Sequence, residues 1–143
     1  LRYWFKNGRF FMKKIVVKRN ETIFESGAKA DSVYLIVSGE IGIFLPTNNS
    51  DKPDFILGEN EIFGEMGVID KSLRAGRADA LSDANLIKIS QHEFNDKLSK
   101  SDPFITGLTR VLVTRIRGLL KKTTTKKNVT NSGIEPANQE SDS

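Results

Sequence analysis

Cysteine is absent from this chain, and histidine occurs once, at His92. The lack of cysteine excludes disulfide bonds and thiolate metal sites, and it is compatible with a reducing compartment. A single histidine argues against a metal-dependent enzyme, because such sites usually combine several histidines with a carboxylate. No nucleophile stands with a suitable base, and His92 is interpreted as a solvated side chain in a polar segment. We therefore expect neither an enzyme nor a bound metal or cofactor.

Long apolar runs are also missing. No segment approaches the roughly 20 apolar residues that are needed to span a membrane. The opening residues, LRYWFKNGRFFMKK, are basic and aromatic, but they lack the apolar region of about 7–15 residues that marks a secretory signal. A membrane or secreted protein is therefore not expected, and the cytoplasm is the predicted location.

Acidic residues are lacking from the first 19 positions, which carry seven lysines and arginines. Residues 20–120 instead hold eleven lysines and arginines against fifteen acidic residues. The net charge of +4 therefore arises at the ends of the chain, outside a mildly acidic body. Because nucleic-acid-binding domains more often carry a basic face on the folded body, we expect no DNA binding within this chain. The basic ends are interpreted as solvated.

Short segments rich in β-branched and aromatic residues recur between Ile15 and Ser90. Turn signals separate them, such as Gly39 and the loop at residues 47–54. A chain of 143 residues with 38% hydrophobic residues suits one compact domain. The pattern predicts a mainly β barrel or sandwich.

Composition also divides the chain into three parts. Residues 1–11 show neither strand alternation nor helix caps and precede Met12, so they are interpreted as an N-terminal arm or an upstream extension. Residues 12–122 are predicted to form the domain. Residues 123–143 are polar and rich in Pro, Gly, Ser and Asn, and they are predicted to be a disordered tail.

Two helices are predicted after the strands. The first is the segment SQHEFNDKL, in which Ser90 is a suitable N-cap. The second is longer, with Asp102 or Ser101 as its cap and Pro103 at its first position. One stripe of this helix is apolar and is interpreted as core or dimer seam, with residues spaced by three and four: Ile105, Leu108, Leu112, Ile116 and Leu119.

The segment IFGEMGVIDKSLRAGRA, from Ile62 to Ala78, has the residues of an anion pocket. Glycine lets the backbone approach a ligand closely, and a helical turn beginning at Glu65 or Met66 would add aligned N–H donors. Arg74 would give a bidentate contact to a phosphate. Glu65 would be repelled by that phosphate, so its carboxylate is expected to accept a hydrogen bond from a sugar hydroxyl. The pair therefore indicates a nucleotide.

The same segment resembles the phosphate-binding cassette of cyclic nucleotide-binding domains. The family pattern F-G-E-[LM]-[AG]-L, followed by an arginine and small residues, is met by Phe63-Gly64-Glu65-Met66-Gly67-Val68 and then by Arg74-Ala75. The upstream stretch IFESGAKADSVYLIVSGEIGIF and the downstream stretch LSDANLIKISQHEF are also similar to the family. The resemblance covers residues 15–120 and is closest in kind to catabolite-activator-like proteins and protein kinase A regulatory subunits.

The resemblance implies an antiparallel β-roll, a jelly-roll-like double-stranded β-helix, with a short cassette helix and two C-terminal helices. Because a polar tail follows the long helix, no helix-turn-helix is expected there. It implies that Arg74 pairs with the cyclic phosphate and that Glu65 binds the ribose 2′-hydroxyl. The expected ligand-binding set is Phe63, Gly64, Glu65, Met66, Arg74 and Ala75. In this family a threonine after the arginine often accompanies cGMP, so Ala75 makes cAMP the expected ligand.

The implied function is a regulatory sensor. The nucleotide would draw the cassette inward, and the C-terminal helix would repack over the pocket, against an unidentified protein partner or in a homodimer. Leu119-Leu120 occupy the positions where relatives contact the purine, so the base would be covered by apolar groups.

Three departures from the family pattern keep other interpretations open: Leu73, Gly76 and Arg77. The chain is alternatively a degenerate β-roll that binds no ligand and acts as a protein-interaction domain, or the truncated N-terminal part of a transcription regulator. Arg77 would compete for the phosphate, point outward or mark a different ligand. Arg74 and Glu65 would form only a surface ion pair in the simplest structural interpretation.

Overall fold

Two antiparallel sheets and three helices form the fold. The computed structural model describes residues 3–6 and 9–131, with side chains for residues 12–122. The first sheet has the order β1-β2-β9-β4-β7 and the second the order β3-β8-β5-β6. The predicted mainly β roll, with a short helix between strands and two helices after them, is confirmed.

The strands of both sheets are short, as the sequence pattern predicts. Those of the first sheet are β1 (Tyr3–Lys6), β2 (Arg9–Val17), β4 (Ser32–Ser38), β7 (Ile62–Phe63) and β9 (Ala84–Ser90). Those of the second sheet are β3 (Thr22–Phe24), β5 (Ile41–Phe44), β6 (Phe55–Leu57) and β8 (Arg77–Ala80). Gly39, with a φ of 95°, makes the turn between β4 and β5.

The main core lies between the two sheets. Inward-facing residues of β4 and β9, such as Ile36 and Leu86, meet Ile41 of β5 and Ala78 of β8, and all four are almost completely buried. A smaller cluster on the other face of β4 joins Val33, Ala30 and Val68. Because successive strand residues point to opposite faces, β4 contributes to both clusters.

The three helices are α1 (Glu65–Ile69), α2 (Gln91–Ser99) and α3 (Pro103–Asn131). Of these, α2 and α3 begin where their caps predict. The Ser90 hydroxyl accepts a hydrogen bond from the amide of Glu93, and the Asp102 carboxylate accepts one from the amide of Phe104 at 2.8 Å. Both caps satisfy N–H groups that have no partner inside their helices.

The structure has secondary structure on both sides of the predicted domain at residues 12–122. Residues 1–11 were interpreted as an arm or an upstream extension, and in the structure β1 and the first residues of β2 form an antiparallel pair, with Tyr3 opposite Lys13. Disorder was expected from residue 123, but α3 continues to Asn131, because extending an existing helix adds one hydrogen bond per residue without a new nucleation step. The remaining part of the predicted tail, residues 132–143, lies outside the described residues.

One side of the long helix α3 packs against the domain, and a neighbouring apolar side is exposed. Val113 faces inward and is 5% exposed. The predicted apolar stripe lies beside this line, and its members are between 45% and 63% exposed: Ile105, Leu108, Leu112, Ile116 and Leu119. The stripe is therefore not part of the domain core, and its interpretation as a dimer seam stays a prediction.

Candidate functional site

One cavity of about 290 Å³ lies between the second sheet, α1 and α3. The six predicted site residues all line it: Phe63, Gly64, Glu65, Met66, Arg74 and Ala75. β7 delivers Phe63 to the wall, and the chain then turns at Gly64 into α1. The tertiary structure therefore brings both parts of the sequence motif, residues 63–66 and residues 74–75, to the wall of the same cavity.

Gly64 occupies a position that a larger residue would disturb. Its φ is 81°, a left-handed conformation that glycine adopts without steric cost. A Cβ atom added there would lie 2.9 Å from Nη1 of Arg74. The absence of a side chain at Gly64 thus gives room for the guanidinium beside the start of α1.

Arg74 is the most buried charged residue of the site, with 5% of its surface exposed. Its Nη1 donates to the carbonyl of Gly64 at 2.6 Å and its Nη2 to the carbonyl of Ser32 at 2.8 Å. The guanidinium carbon lies 4.1 Å from the ring centre of Phe24. Nε is buried without a hydrogen-bond partner. The side chain is therefore fixed in place, and one of its buried donors has no hydrogen-bond partner in the protein.

The charge of Arg74 is only partly balanced by its neighbours. The nearest carboxylate oxygen of Asp31 is 3.8 Å from Nη2, and that side chain is 69% exposed. Burial lowers the pKa of Arg74, whereas interactions with Tyr34, Asp31 and Glu65 raise it. An arginine nonetheless keeps its proton, so the cavity contains a buried cation.

Glu65 carries the second charge of the cavity. Burial raises the pKa of Glu65 above its ordinary value, and a hydrogen bond from its own amide and the charge of Arg74 only partly offset this. Among the described side chains, Glu65 and Arg74 do not approach to the 4.0 Å of an ion pair. The simple ion-pair interpretation is therefore not supported.

Two of the three sequence departures lie away from the cavity. Arg77 donates from Nε to the carboxylate of Asp79 at 3.0 Å and lies over the ring of Phe44 on the outer face of the second sheet. Of the three possibilities for Arg77, the outward orientation is observed. Leu73 is 57% exposed and is not among the lining residues.

Gly76 is the departure that does line the cavity. A Cβ atom added to Gly76 would lie 2.8 Å from the carbonyl oxygen of Phe44. Glycine at this position therefore permits the close approach of two strands, and it leaves the shape of the cavity intact.

Sequence reasoning missed most of the apolar wall. The missed residues come from four strands, from the residue that follows β5 and from α3: Phe24, Ile43, Leu45, Phe55, Leu57, Ile62 and Ile116. Of the predicted pair Leu119-Leu120, only Leu120 lines the cavity, and Ile116 joins it from the preceding turn of α3. The alternation of β5 indicates an inward face, but it cannot tell which inward residues border a cavity.

An ion pair between α1 and α3 was also not predicted. Arg117 donates from Nε and Nη2 to the carboxylate of Asp70, the residue that ends α1. Both side chains are less than one-fifth exposed. Burial tends to raise the pKa of Asp70, but hydrogen bonds from Arg117 and Ser72 and the charge of Arg117 outweigh it, so the pKa is lowered. The pair connects the cassette directly to the helix that covers the cavity.

The cavity therefore combines a buried guanidinium, a carboxylate and backbone N–H groups at the start of α1 with an apolar remainder. The sequence profile of the cyclic nucleotide-binding domain matches residues 14–101. The chain belongs to the cyclic nucleotide-binding domain family. The described part of the chain has no group of three or more His, Asp or Glu residues arranged to hold a metal ion.

Two curated relatives indicate the settings in which this family domain occurs. Lysophospholipase nte1 of Aspergillus fumigatus is 27% identical over 125 residues, which cover 86% of this chain and 8% of that protein. The cyclic AMP receptor protein of Thermus thermophilus is 23% identical over 108 residues, which cover 75% of this chain and 50% of that protein. This chain thus spans at most half the length of either relative.

Solved structures agree with the assignment. The EAL enzyme Bd1971 in its cAMP-bound form superposes with a TM-score of 0.68 at 30% identity, over 83% of this chain and 32% of that one. Its cGMP-bound form superposes with a TM-score of 0.69, also at 30% identity, over 84% of this chain and 32% of that one. Within the described residues, no helix combines the length and the hydropathy that crossing a membrane requires.

Proposed function

We propose that this domain is a regulatory sensor that binds a 3′,5′-cyclic purine nucleotide, with cAMP as the expected ligand. The observation that carries the proposal is the unpartnered Nε of Arg74, buried in a cavity that also contains Glu65. A buried donor without a partner is costly, and an anionic phosphate oxygen would satisfy it. The fixed orientation of the guanidinium means that little reorganisation is needed on binding.

The two charged residues suit the two polar ends of a cyclic ribose phosphate. Arg74 would hold the phosphate, together with N–H groups of the first turn of α1, which have no partner inside the helix. Glu65 would accept a hydrogen bond from the ribose 2′-hydroxyl. This donor would stabilise the ionised carboxylate, which burial disfavours. No group positioned for bond cleavage takes part, so the domain itself would regulate and not catalyse.

The choice of cAMP rests on Ala75, which lines the cavity and has no hydroxyl to offer to a guanine amino group. The structural neighbour Bd1971 was solved with cAMP and, separately, with cGMP. Both nucleotides are therefore included in the test below.

The switch that we propose involves α3. Ile116 and Leu120 line the cavity, and Arg117 between them is bonded to Asp70 at the end of α1. A ligand that draws the cassette inward would therefore act on α3 through the cavity wall and through this ion pair. The ligand can shift the balance between two arrangements only by its difference in affinity for them.

The output would be carried by the exposed stripe of α3, either in a homodimer or on a protein partner, in the cytoplasm. The relatives include enzymes and a receptor protein of which this chain matches a part. A sensor domain that regulates a larger assembly is consistent with both.

The test is calorimetric titration of the purified, ligand-free chain with cAMP and with cGMP. We expect cAMP to bind with micromolar or tighter affinity. Arg74→Ala should weaken binding by roughly a hundredfold or more, since a buried charge-assisted contact is lost. Arg77→Ala is the matched control, because it removes an arginine three residues away that faces the outside of the sheet. It should leave the affinity unchanged.

Folding of each variant is checked by circular dichroism and thermal unfolding without ligand, and Arg74→Lys is included because it retains a positive charge. Absence of binding heat and of thermal stabilisation by either nucleotide, on folded wild-type protein, would exclude the sensor function. The protein-interaction domain would then be favoured. Equal loss of affinity in the Arg74 and Arg77 variants would contradict the assignment of Arg74 as the phosphate anchor.

A further inference from the structure

Phe24 lines the cavity and contacts the proposed phosphate anchor directly. The guanidinium carbon of Arg74 lies over its ring, 4.1 Å from the ring centre. Glycine at position 64 leaves room for this contact, since a Cβ atom there would lie 2.9 Å from Nη1 of Arg74 and 3.3 Å from Cε2 of Phe24. The guanidinium therefore lies on an aromatic face while both its Nη atoms donate to backbone carbonyls.

The two hydrogen bonds from Nη1 and Nη2 do not by themselves fix the plane of the guanidinium. With only these bonds, the group still rotates about the line that joins the two Nη atoms, and Nε lies off that line. All the N–H donors of arginine lie in the plane of the group, so a ring on its face opposes the rotation without occupying a donor. The contact with Phe24 therefore fixes the direction of the Nε–H, the buried donor that has no hydrogen-bond partner in the protein.

The ring of Phe24 is itself held by two other rings. Its centre lies 6.1 Å from that of Tyr34 and 6.0 Å from that of Phe63, with tilts of 35° and 36°. Tyr34 and Phe63 stack on each other, with centres 5.1 Å apart. These separations are within the range in which aromatic pairs attract. The guanidinium thus packs on a ring whose own position is determined by the core.

The segment that follows Phe24 also holds the main chain of Arg74. The amide of Arg74 donates to the carbonyl of Ala28, and the amide of Gly27 donates to the carbonyl of Arg74, both at 2.9 Å. Phe24 is the last residue of β3, only three residues before Gly27. One short stretch, residues 24–28, therefore contacts both the main chain and the guanidinium of Arg74.

We propose that Phe24 is a positioning residue for the phosphate anchor: its ring fixes the plane of the Arg74 guanidinium and thereby raises the affinity for the cyclic phosphate. The inference rests on the proposed function and assigns a further residue to the same site. Without the ring, the guanidinium is free to turn toward the carboxylate of Asp31, whose nearest oxygen is 3.8 Å from Nη2. A nucleotide would then have to reorder the guanidinium on binding, which lowers the affinity.

The first test is a double-mutant cycle on the whole chain, with cAMP binding measured by calorimetry. Phe24→Leu removes the ring and keeps an apolar side chain, and we expect it to weaken binding roughly fivefold or more. In the Arg74→Lys background no planar guanidinium stacks on the ring, so the same change should weaken binding by less than about twofold. If Phe24 only contacted the ligand, the loss would be the same in both backgrounds, and that result would overturn the inference.

The second test keeps the shape of the ring and changes its charge distribution. Fluorine atoms withdraw negative charge from the aromatic face that attracts the cation. Incorporation of trifluorophenylalanine at position 24 should therefore weaken cAMP binding roughly threefold or more. An affinity equal to that of the wild type would contradict a role of this ring face in holding Arg74.

Phe44→Leu is the matched control. The ring of Phe44 lies 4.4 Å from the guanidinium carbon of Arg77, and Phe44 is not among the described lining residues of the cavity. This variant should lower the thermal stability and leave the cAMP affinity unchanged. An equal loss of affinity in the Phe44 and Phe24 variants would show a general effect of destabilisation and overturn the inference.

The folding of each variant is checked by circular dichroism and thermal unfolding without ligand. If the wild-type chain binds neither cAMP nor cGMP, the proposed function has failed. If the wild type binds cAMP and Arg74→Ala loses the affinity while Phe24→Leu keeps it, only the positioning role of Phe24 has failed.

Discussion

Arg74 is held by two backbone carbonyls and by the face of Phe24 without a ligand. At the scale of a residue, these contacts fix the guanidinium, while the buried Nε has no hydrogen-bond partner in the protein. Glu65 differs, since burial works against its ionised form and raises its pKa. The two charged residues of the cavity therefore respond differently to pH: Arg74 stays charged, whereas Glu65 is protonated more easily than an exposed glutamate.

We predict that nucleotide affinity falls as the pH is lowered from neutral through the raised pKa of Glu65. The 2′-hydroxyl donates to the carboxylate, so binding favours the ionised form and is lost as that form is protonated. The cyclic phosphate and Arg74 keep their charges over this range. Asp70 also keeps its charge, because its pKa is lowered. Calorimetry at a series of pH values measures the effect.

Glu65→Gln is the control, since it removes the titrating group and keeps an acceptor oxygen. Its affinity should be lower than that of the wild type and nearly independent of pH. A wild-type affinity that stays constant into the acidic range would contradict the assigned role of Glu65.

The free energy of unfolding of the ligand-free protein should change in the opposite direction to the affinity, increasing as the pH is lowered. Between the ordinary value of 4.5 and the raised value, the folded state binds more protons than the unfolded state, so stability decreases as pH rises.

At the scale of elements, the important relation is that between α1 and α3. α1 has only five residues, and Asp70, which caps its C-terminal end, carries a negative charge where the helix dipole disfavours one. Arg117 compensates this charge from α3. Because Ile116 and Leu120 flank Arg117 and line the cavity, the ion pair connects α1 to the part of α3 that borders the cavity.

We predict that Arg117→Ala lowers cAMP affinity by roughly fivefold, because α3 loses its fixed position over the cavity. Asp70→Ala should have a similar effect, and the double variant should be little worse than either single variant, since both remove one interaction. Calorimetry on the wild type, the two single variants and the double variant gives the coupling free energy between Asp70 and Arg117. Arg115→Ala, an exposed position two residues away on α3, should be neutral. Additive losses in the double variant would exclude coupling through this pair.

At the scale of the whole molecule, α3 presents an apolar face that the described part of the domain does not cover. Ile105 is 50% exposed and Leu119 is 63% exposed, at opposite ends of the stripe. Their spacing places the stripe on one side of the helix, next to the line that contacts the domain through Val113. A helix with one apolar face outward is typical of a surface that associates with another chain.

We predict that Leu108→Glu combined with Leu112→Glu shifts the protein from dimer to monomer, because two charges replace the centre of the stripe. Sedimentation equilibrium over a range of concentrations measures the change. Thr114→Glu, which lies on another side of α3 and is also exposed, should leave association unchanged. A wild-type chain that is monomeric at all concentrations would exclude the homodimer, and the stripe would then be assigned to a different protein partner.

The sequence predicted elements whose signals are local. Ser90 and Asp102 gave correct helix starts, and the cassette residues gave the position of α1 and the two charges of the cavity. The strand before Met12 was missed, although Asn7-Gly8 is a hairpin signal between two apolar stretches. The continuation of α3 was missed because polar composition was taken to mean disorder, whereas a helix already nucleated extends through residues that bury little.

The sequence by itself determined the family, the mainly β fold and the cassette, because caps, strand alternation and the Gly64-Glu65 to Arg74 spacing are each specified within a few residues. Only the tertiary structure decided which apolar residues border the cavity, that Arg77 faces outward to Asp79, and that Arg117 reaches Asp70. Phe24, Ile43 and Ile116 are far apart in the chain. Local periodicity predicts on which face of its strand or helix a residue lies, but it does not predict which distant element packs against that face. Strand pairing and the packing of α3 determine these contacts, and they place the Gly64-Glu65 to Arg74 segment in a cavity with an apolar wall.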